Sequence, residues 1–132
     1  MTVREWKYTE LAAALKWMSA RLRDRTFPAS WLPFTGLAAI DATGRCCATL
    51  AVYCDATSPV AVLGWLIADP GNTARESFTA ARALLEYAPI YAKNKKCVHL
   101  ITMFGNRGIN RLCDQLGYRQ GDKNVEHKYV RL

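Results

Sequence analysis

No apolar run in this 132-residue chain reaches the roughly 18 residues that a membrane-spanning helix needs. The opening Met1-Thr2-Val3-Arg4-Glu5-Trp6 puts charges where a signal peptide would carry its apolar core. Both absences point to a cytoplasmic protein with no membrane contact. C-x-x-C spacing is missing too. The five cysteines, Cys46, Cys47, Cys54, Cys97 and Cys113, are odd in number and lie mostly inside apolar segments, so they are expected as reduced core thiols rather than a disulfide framework. Cys97 and His99 fall on one side of a strand-like run, but two ligands do not make a zinc site, and no metal is expected. No Ser-His-Asp or reactive Cys-His order is readable, which disfavours a covalent mechanism.

What is present is a globular composition. With 51% hydrophobic residues, the chain fits a single domain over residues 1–132 that can build a core without staples, and disorder is excluded. The net charge of +7 favours an anionic partner, whether nucleic acid, an acidic protein surface or a phosphate-rich cofactor. Basic residues cluster at Arg21 to Arg25, at Lys93 to Lys96, and at Arg107 with Arg111. Such runs are more often solvated faces than binding sites.

Hydrophobic period orders the elements. Leu11, Leu15, Met18 and Leu22 make a helical stripe over about Thr9 to Arg23. Ahead of it, Thr2-x-x-Glu5 reads either as an early capping box or as part of a strand-like stretch from Val3 to Tyr8. Phe27 to Phe34 holds two prolines and three aromatics and reads as an irregular segment packed on the sheet or a lid. Leu37 to Asp41 and Arg45 to Asp55, joined by Ala42-Thr43-Gly44, form a hairpin. Val60 to Ala68 is apolar almost throughout, as a central strand buried on both faces should be. Phe78 to Tyr91 gives a second helix with Phe78, Ala81, Leu85 and Ala88 as its stripe, Cys97 to Phe104 another strand, and Val125 to Leu132 a last one by strict alternation. The expected core contains Val62, Leu66, Leu85, Leu100, Ile109 and Leu112.

The most informative stretch is Gly105 to Tyr118, G-N-R-G-I-N-R-L-C-D-Q-L-G-Y. Asn106 is an N-cap, Ile109, Leu112, Cys113 and Leu116 share a helix face, and Gly117 supplies the left-handed stop. The spacing of Asn106, Leu112 and Leu116-Gly117-Tyr118 resembles the C-terminal motif N-x-x-A-x-x-L-Y-x-x-L-G-F of the GNAT acyltransferases. By this resemblance Asn106 stands beside the pantetheine arm of acyl-CoA, although the cap alone explains it equally well. Cys113 falls where the family carries the tyrosine that protonates the departing thiolate. The alternative for Cys113 is a small apolar residue on the buried helix face.

The resemblance covers roughly residues 36 to 132 and implies a mixed α/β (α+β) fold, with a twisted central sheet of about six strands flanked by about four helices. It implies acetyl-CoA as cofactor, with the end of the central strand, Leu66, Ile67 and Ala68, beside it. It also implies that Val60 to Ala68 and the strand near Cys97 run parallel and splay apart to admit the pantetheine. The family's pyrophosphate loop, R/Q-x-x-G-x-G/A, aligns with Glu76 at the basic position, Thr79 at the first glycine and Ala81 at the second, and only Ala81 fits. Glycines in such a loop let phosphate reach free N–H groups at a helix N-terminus. Here Thr73-x-x-Glu76 is a capping box that would put Glu76 on that terminus. In the alternative the helix starts at Ser77, so that Ser77, Thr79 and Ala81 at its N-terminus meet the cofactor, with Arg75 as the cationic contact. Trp31 and Phe34 are acceptor-side candidates by resemblance, or else seal one end of the core.

Three functions follow. The first is an N-acetyltransferase in which an amine acceptor, free or on a protein substrate, attacks the thioester; a carboxylate, Asp69 or Glu76, or an ordered water removes the proton, and central-strand amides hold the oxyanion. The second is a catalytically inactive GNAT-fold phage structural or accessory protein binding a virion or host protein or nucleic acid through its basic surface, because Gly105-Asn106, Arg111 and Leu116-Gly117-Tyr118 are also similar to small phage-encoded GNAT-like proteins. The third is a nucleic-acid module, favoured by charge alone.

Overall fold

A computed structural model describes residues 1–22, 28–121 and 130 of the chain. Its centre is one sheet in sequential order, β1 (Thr2–Glu5), β2 (Gly36–Ile40), β3 (Cys46–Cys54), β4 (Val60–Ala68) and β5 (His99–Thr102). The first three pairings are antiparallel and β4–β5 is parallel. Helix α1 (Tyr8–Arg21) connects β1 to β2, α2 (Ala74–Asn94) is the crossover from β4 to β5, and α3 (Arg107–Gln115) follows β5. A single 3-10 turn, Ala29–Trp31, lies in the proline- and aromatic-rich segment. The described residues thus hold five strands and three α-helices where about six and four are expected, and the predicted strand Val125 to Leu132 lies outside them save for Val130.

The meander forms where turn residues bracket apolar runs. Asp41 accepts from the backbone N–H groups of Thr43 and Arg45, and Asp55 accepts from that of Thr57, so each turn is closed by its own carboxylate. The two sheet faces bury different partners. Leu37, Leu50, Val52, Ala61 and Leu63 meet Leu84, Leu85 and Ala88 of α2 and Leu112 of α3, whereas Ala38, Ala51 and Ile67 meet Trp6 and Ala14 and Met18 of α1. Small alanines on both sides let the helices lie close to the sheet. Each fully buried leucine contributes roughly 1.5–3 kcal/mol.

Of the expected core, Leu85 and Leu112 are fully buried, and Leu66, Leu100 and Ile109 pack against the same cluster. Val62 is a correction. It alternates with buried Ala61 and Leu63, so it faces the opposite side, where it lines an open depression, and β4 is not buried on both faces along its whole length.

Helix α2 begins at Ala74, as the Thr73–Glu76 capping box implies and ahead of the alternative start at Ser77: the Thr73 hydroxyl accepts from the Glu76 N–H and the Glu76 carboxylate accepts from the Thr73 N–H. Phe78 is half exposed rather than part of the buried stripe. The helix also runs past Tyr91 to Asn94 with Pro89 inside it. A proline in a helix interior removes the bond to the carbonyl four residues back, here that of Leu85. That carbonyl instead accepts from the Tyr118 hydroxyl at 2.8 Å. Burial pushes the Tyr118 pKa up, which keeps the phenol protonated as a donor.

Tyr118 is positioned by a complete left-handed stop. Gly117 has φ +86°, its N–H donates to the Asp114 carbonyl, and the Tyr118 N–H donates to the Cys113 carbonyl. Tyr118→Phe is therefore expected to cost about 1–2 kcal/mol in denaturant unfolding, by stranding the buried Leu85 carbonyl. The cost should shrink in a Pro89→Ala background, where a residue 89 N–H can take the bond; additive effects would refute the substitution of one donor for the other.

A second prediction comes from Glu10, buried at the start of α1. Its carboxylate pairs with Arg4 at 2.8 Å and accepts from the Lys7 N–H, and the Arg4 hydrogen bond holds its pKa below the usual glutamate value. A depressed folded-state pKa gives stability that is present above the unfolded pKa of about 4.3 and lost as pH falls through the folded value. Glu10→Gln should lower stability at neutral pH and flatten its fall under acid, read by unfolding at stepped pH.

Candidate cofactor cleft

The parallel ladder between β4 and β5 is four residues long, pairing Val60, Ala61, Val62 and Leu63 with His99, Leu100, Ile101 and Thr102. Beyond it the strands part. Trp65 is an extra residue in β4, bulged against β3 between Leu50 and Ala51, with φ +23°. Gly64 beside it has no side chain because the Tyr53 ring occupies the place, 2.8 Å from where a Cβ would stand. On the β3 side the Asp69 N–H donates to the Cys47 carbonyl. By the alternation of an antiparallel ladder, Ile67 pairs with Thr49, while Leu66 and Ala68 aim their backbone groups away from β3.

That free edge borders a cavity of about 290 Å3 lined by Leu66, Ala68 and Ala48 of the sheet, Ser77, Phe78 and Ala81 of α2, and Phe104, Gly105, Asn106 and Ile109 at the turn into α3. Arg21, the last residue of α1, reaches in from the other side. Its guanidinium donates to the Ala68 carbonyl at 2.9 Å.

Five of the residues singled out from sequence as cofactor contacts, Leu66, Ala68, Ser77, Ala81 and Asn106, come together here. The Asn106 side chain accepts from the Ile109 N–H at 3.1 Å, so it also caps α3. Ile67 is turned away, its side chain buried in the α1 cluster and its backbone committed to β3. Arg75 and Thr79 are exposed on α2 and do not line the cavity.

The three proposed catalytic side chains are not in the cleft lining either. Asp69 accepts from the Gly71 N–H at 2.8 Å and from Arg45 at 3.2 Å. Glu76 holds the α2 cap and accepts from Arg45 at 3.2 Å; the Thr73 backbone and hydroxyl keep its pKa low. Arg45 also bonds Asp41 at 3.2 Å and Asn72 at 2.8 Å, so one guanidinium ties the β2–β3 turn to the loop before α2 and to its first turn. Cys113 is 6% exposed, packed in the core one turn beyond Ile109, and burial pushes its thiol pKa up.

On the α1 side of the sheet a wider depression of about 700 Å3 is lined by Pro33, Phe34, Thr35, Tyr53, Cys54, Val60 and Val62. Phe34 is 97% exposed at its rim and seals no core. Trp31 stacks on the bulged Trp65 with ring centroids 6.0 Å apart, and its carbonyl accepts from the Tyr53 hydroxyl. His99 is exposed on β5.

A mixed sheet whose two parallel strands diverge over an apolar cleft matches solved structures along nearly its whole length. A protein from Agrobacterium tumefaciens described as an acetyltransferase superposes with a TM-score of 0.69 at 15% identity, covering 98% of this chain and 100% of that one. A Trypanosoma brucei acetyltransferase gives 0.62 at 14%, with 97% and 99% covered. An aminoglycoside N-acetyltransferase, AAC(6')-Iy, in complex with CoA, gives 0.63 at 16%, with 98% and 100% covered. The fold is that of the GNAT acetyltransferases. No protein-family model matches the sequence. No curated protein matches it either. Among its GNAT-like features, the parallel neighbours β4 and β5 and the Asn106-capped helix ending at Gly117 agree with the sequence reading, whereas the helix following β4 opens on an acidic cap.

Arg21 was not visible from sequence, because its contact joins residues 47 apart. The only local signal is its place in a basic run at a helix end.

The packing of Cys113 yields a third prediction. Cys113→Tyr should overpack the α2–α3 interface and cost on the order of 1–3 kcal/mol, with Cys113→Ala better tolerated, both read by thermal denaturation. A tyrosine variant as stable as the parent would show that the side chain has open space before it.

Proposed function

We propose that this chain is an acyl-CoA-dependent N-acetyltransferase acting on an amine, with acetyl-CoA held between the free β4 edge and the turn into α3. The observation that carries this reading is the backbone edge of Leu66 and Ala68, turned away from β3 towards a cleft with small and apolar walls. A pantetheine arm is an extended chain with two amides, and an open strand edge pairs with such a chain as with another strand. Ala48, Ala68 and Ala81 leave room for it, and Leu66, Phe104 and Ile109 exclude water from it.

The anionic end of the cofactor meets mixed electrostatics. Arg21 is the cation at the cleft, and the amides of Ala74 and Arg75 are the first-turn donors that the α2 capping box does not use. Glu76, with Asp69 and Asp41 around Arg45, opposes phosphate at the same helix end. Modest affinity follows.

The bound cofactor supplies a thioester whose acyl carbon an amine attacks directly, releasing the thiol. In this reading the Leu66 amide is the oxyanion donor of the β4 edge. With Asp69 and Glu76 held by Arg45 and the cap, proton removal falls to ordered water, and Cys113 serves as core. Trp31 and Phe34 then belong to the acceptor side.

Calorimetric titration with acetyl-CoA tests the proposal. Saturable, salt-weakened binding is expected. Arg21→Ala should weaken it about tenfold, the worth of one charge-assisted contact, and Arg75→Ala less than about threefold. No saturation at millimolar ligand would overturn the assignment, and a larger loss with Arg75→Ala would move the phosphate contact to that residue.

A further inference from the structure

Away from the cleft, the Cys54 and Cys97 sulfurs lie 3.3 Å apart although 43 residues separate them in sequence. Cys54 ends β3, opposite Ala61 of β4. Cys97 stands two residues before β5. Backbone bonds fix the approach: the Cys97 N–H donates to the Ala92 carbonyl at 3.0 Å, and the Val98 and His99 N–H groups both donate to the Pro59 carbonyl, at 2.7 and 3.2 Å. Both residues are partly exposed, and Cys54 lines the wide depression. Covalent closure requires the sulfurs to move from 3.3 Å to about 2.05 Å, a shift of roughly 1.2 Å.

We propose that Cys54 and Cys97 form a reversible disulfide by exchange with a low-molecular-weight disulfide such as oxidised glutathione. One protein thiol loses its proton and attacks the glutathione disulfide, expelling one glutathione thiolate. The second protein thiol, deprotonated in turn, attacks the sulfur of the mixed disulfide and expels the other glutathione. Two protein thiols are oxidised and one glutathione disulfide is reduced to two thiols, so the exchange balances. The bridge joins the end of β3 to the entry of β5 across β4, at the closed end of the diverging strands.

This pair stands apart from the other cysteines. Cys47 and Cys113 are buried, and the Cys46 Sγ contacts the Ala48 carbonyl, with its thiol pKa pushed up to about 11 by burial.

The test uses the whole chain equilibrated with oxidised glutathione, then alkylated and weighed intact. The expected product carries three alkyl groups and no glutathione, its mass once those groups are subtracted lies two hydrogens below that of the reduced chain, and the Cys54 and Cys97 segments are linked on non-reducing peptide mapping. Closing so long a loop should raise Tm on the order of 10 °C, reversed by dithiothreitol. Cys54→Ser and Cys97→Ser should each abolish the gain and retain one glutathione on the remaining thiol. Five free thiols, a glutathione adduct that persists on the parent chain, or a linkage between other cysteines would each overturn the proposal. Should either serine variant not fold, the mapping of the parent chain decides alone.

Discussion

The brevity of the β4–β5 ladder governs this molecule. Four parallel residue pairs hold the two strands together, and then β5 gives way to the turn that caps α3 while β4 runs on. A strand edge left unpaired in an apolar setting carries donors and acceptors that must be met by something. In β4 the Ala68 carbonyl is met by Arg21, a side chain from the far end of α1. The bulge at Trp65 accompanies the parting, and Gly64 admits Tyr53 beside it. Cleft, bulge and arginine are thus answers to one shortage of backbone partners.

The first turn of α2 shows a competition between two ways of satisfying a helix terminus. An external anion and an internal carboxylate use the same amides and the same dipole. Here the internal one is in place: Glu76 closes a capping box and is steadied by Arg45, which also gathers Asp41, Asp69 and Asn72. The arrangement stiffens the loop that follows β4 while adding negative charge near the cleft mouth. Cation and anion are supplied from opposite sides of the sheet, Arg21 from α1 and Glu76 from α2.

Much of this was legible in the sequence. The β2–β3–β4 meander could be read because its turns carry Asp41 to Gly44 and Asp55 to Pro59 between apolar runs, and the α3 cap and stop because Asn106 and Gly117 are the residues those geometries need. The start of α2 was ambiguous, since Thr73 and Ser77 both suit a cap and only tertiary contacts such as Arg45 with Glu76 separate them. Side orientation in β4 was misread at Val62, where a continuous apolar run hides which residues alternate towards the helix-covered face. Ile67 was grouped with its neighbours for the same reason. Arg21 on Ala68 and Cys54 on Cys97 join residues far apart in the chain, and no local pattern encodes them.

Pro89 has a consequence for how the helices stand or fall. A helix with every carbonyl paired internally can persist while its neighbours open, but α2 lacks that independence: one of its carbonyls is completed by Tyr118, three residues beyond the end of α3. Undocking α3 leaves the Leu85 carbonyl unpaired in the middle of α2, and fraying α2 removes the acceptor that orients Tyr118. The two helices therefore open as one cooperative unit rather than in succession. A residue usually regarded as a helix breaker here acts as a clasp, making the wall of the cleft and its supporting helix a single mechanical piece.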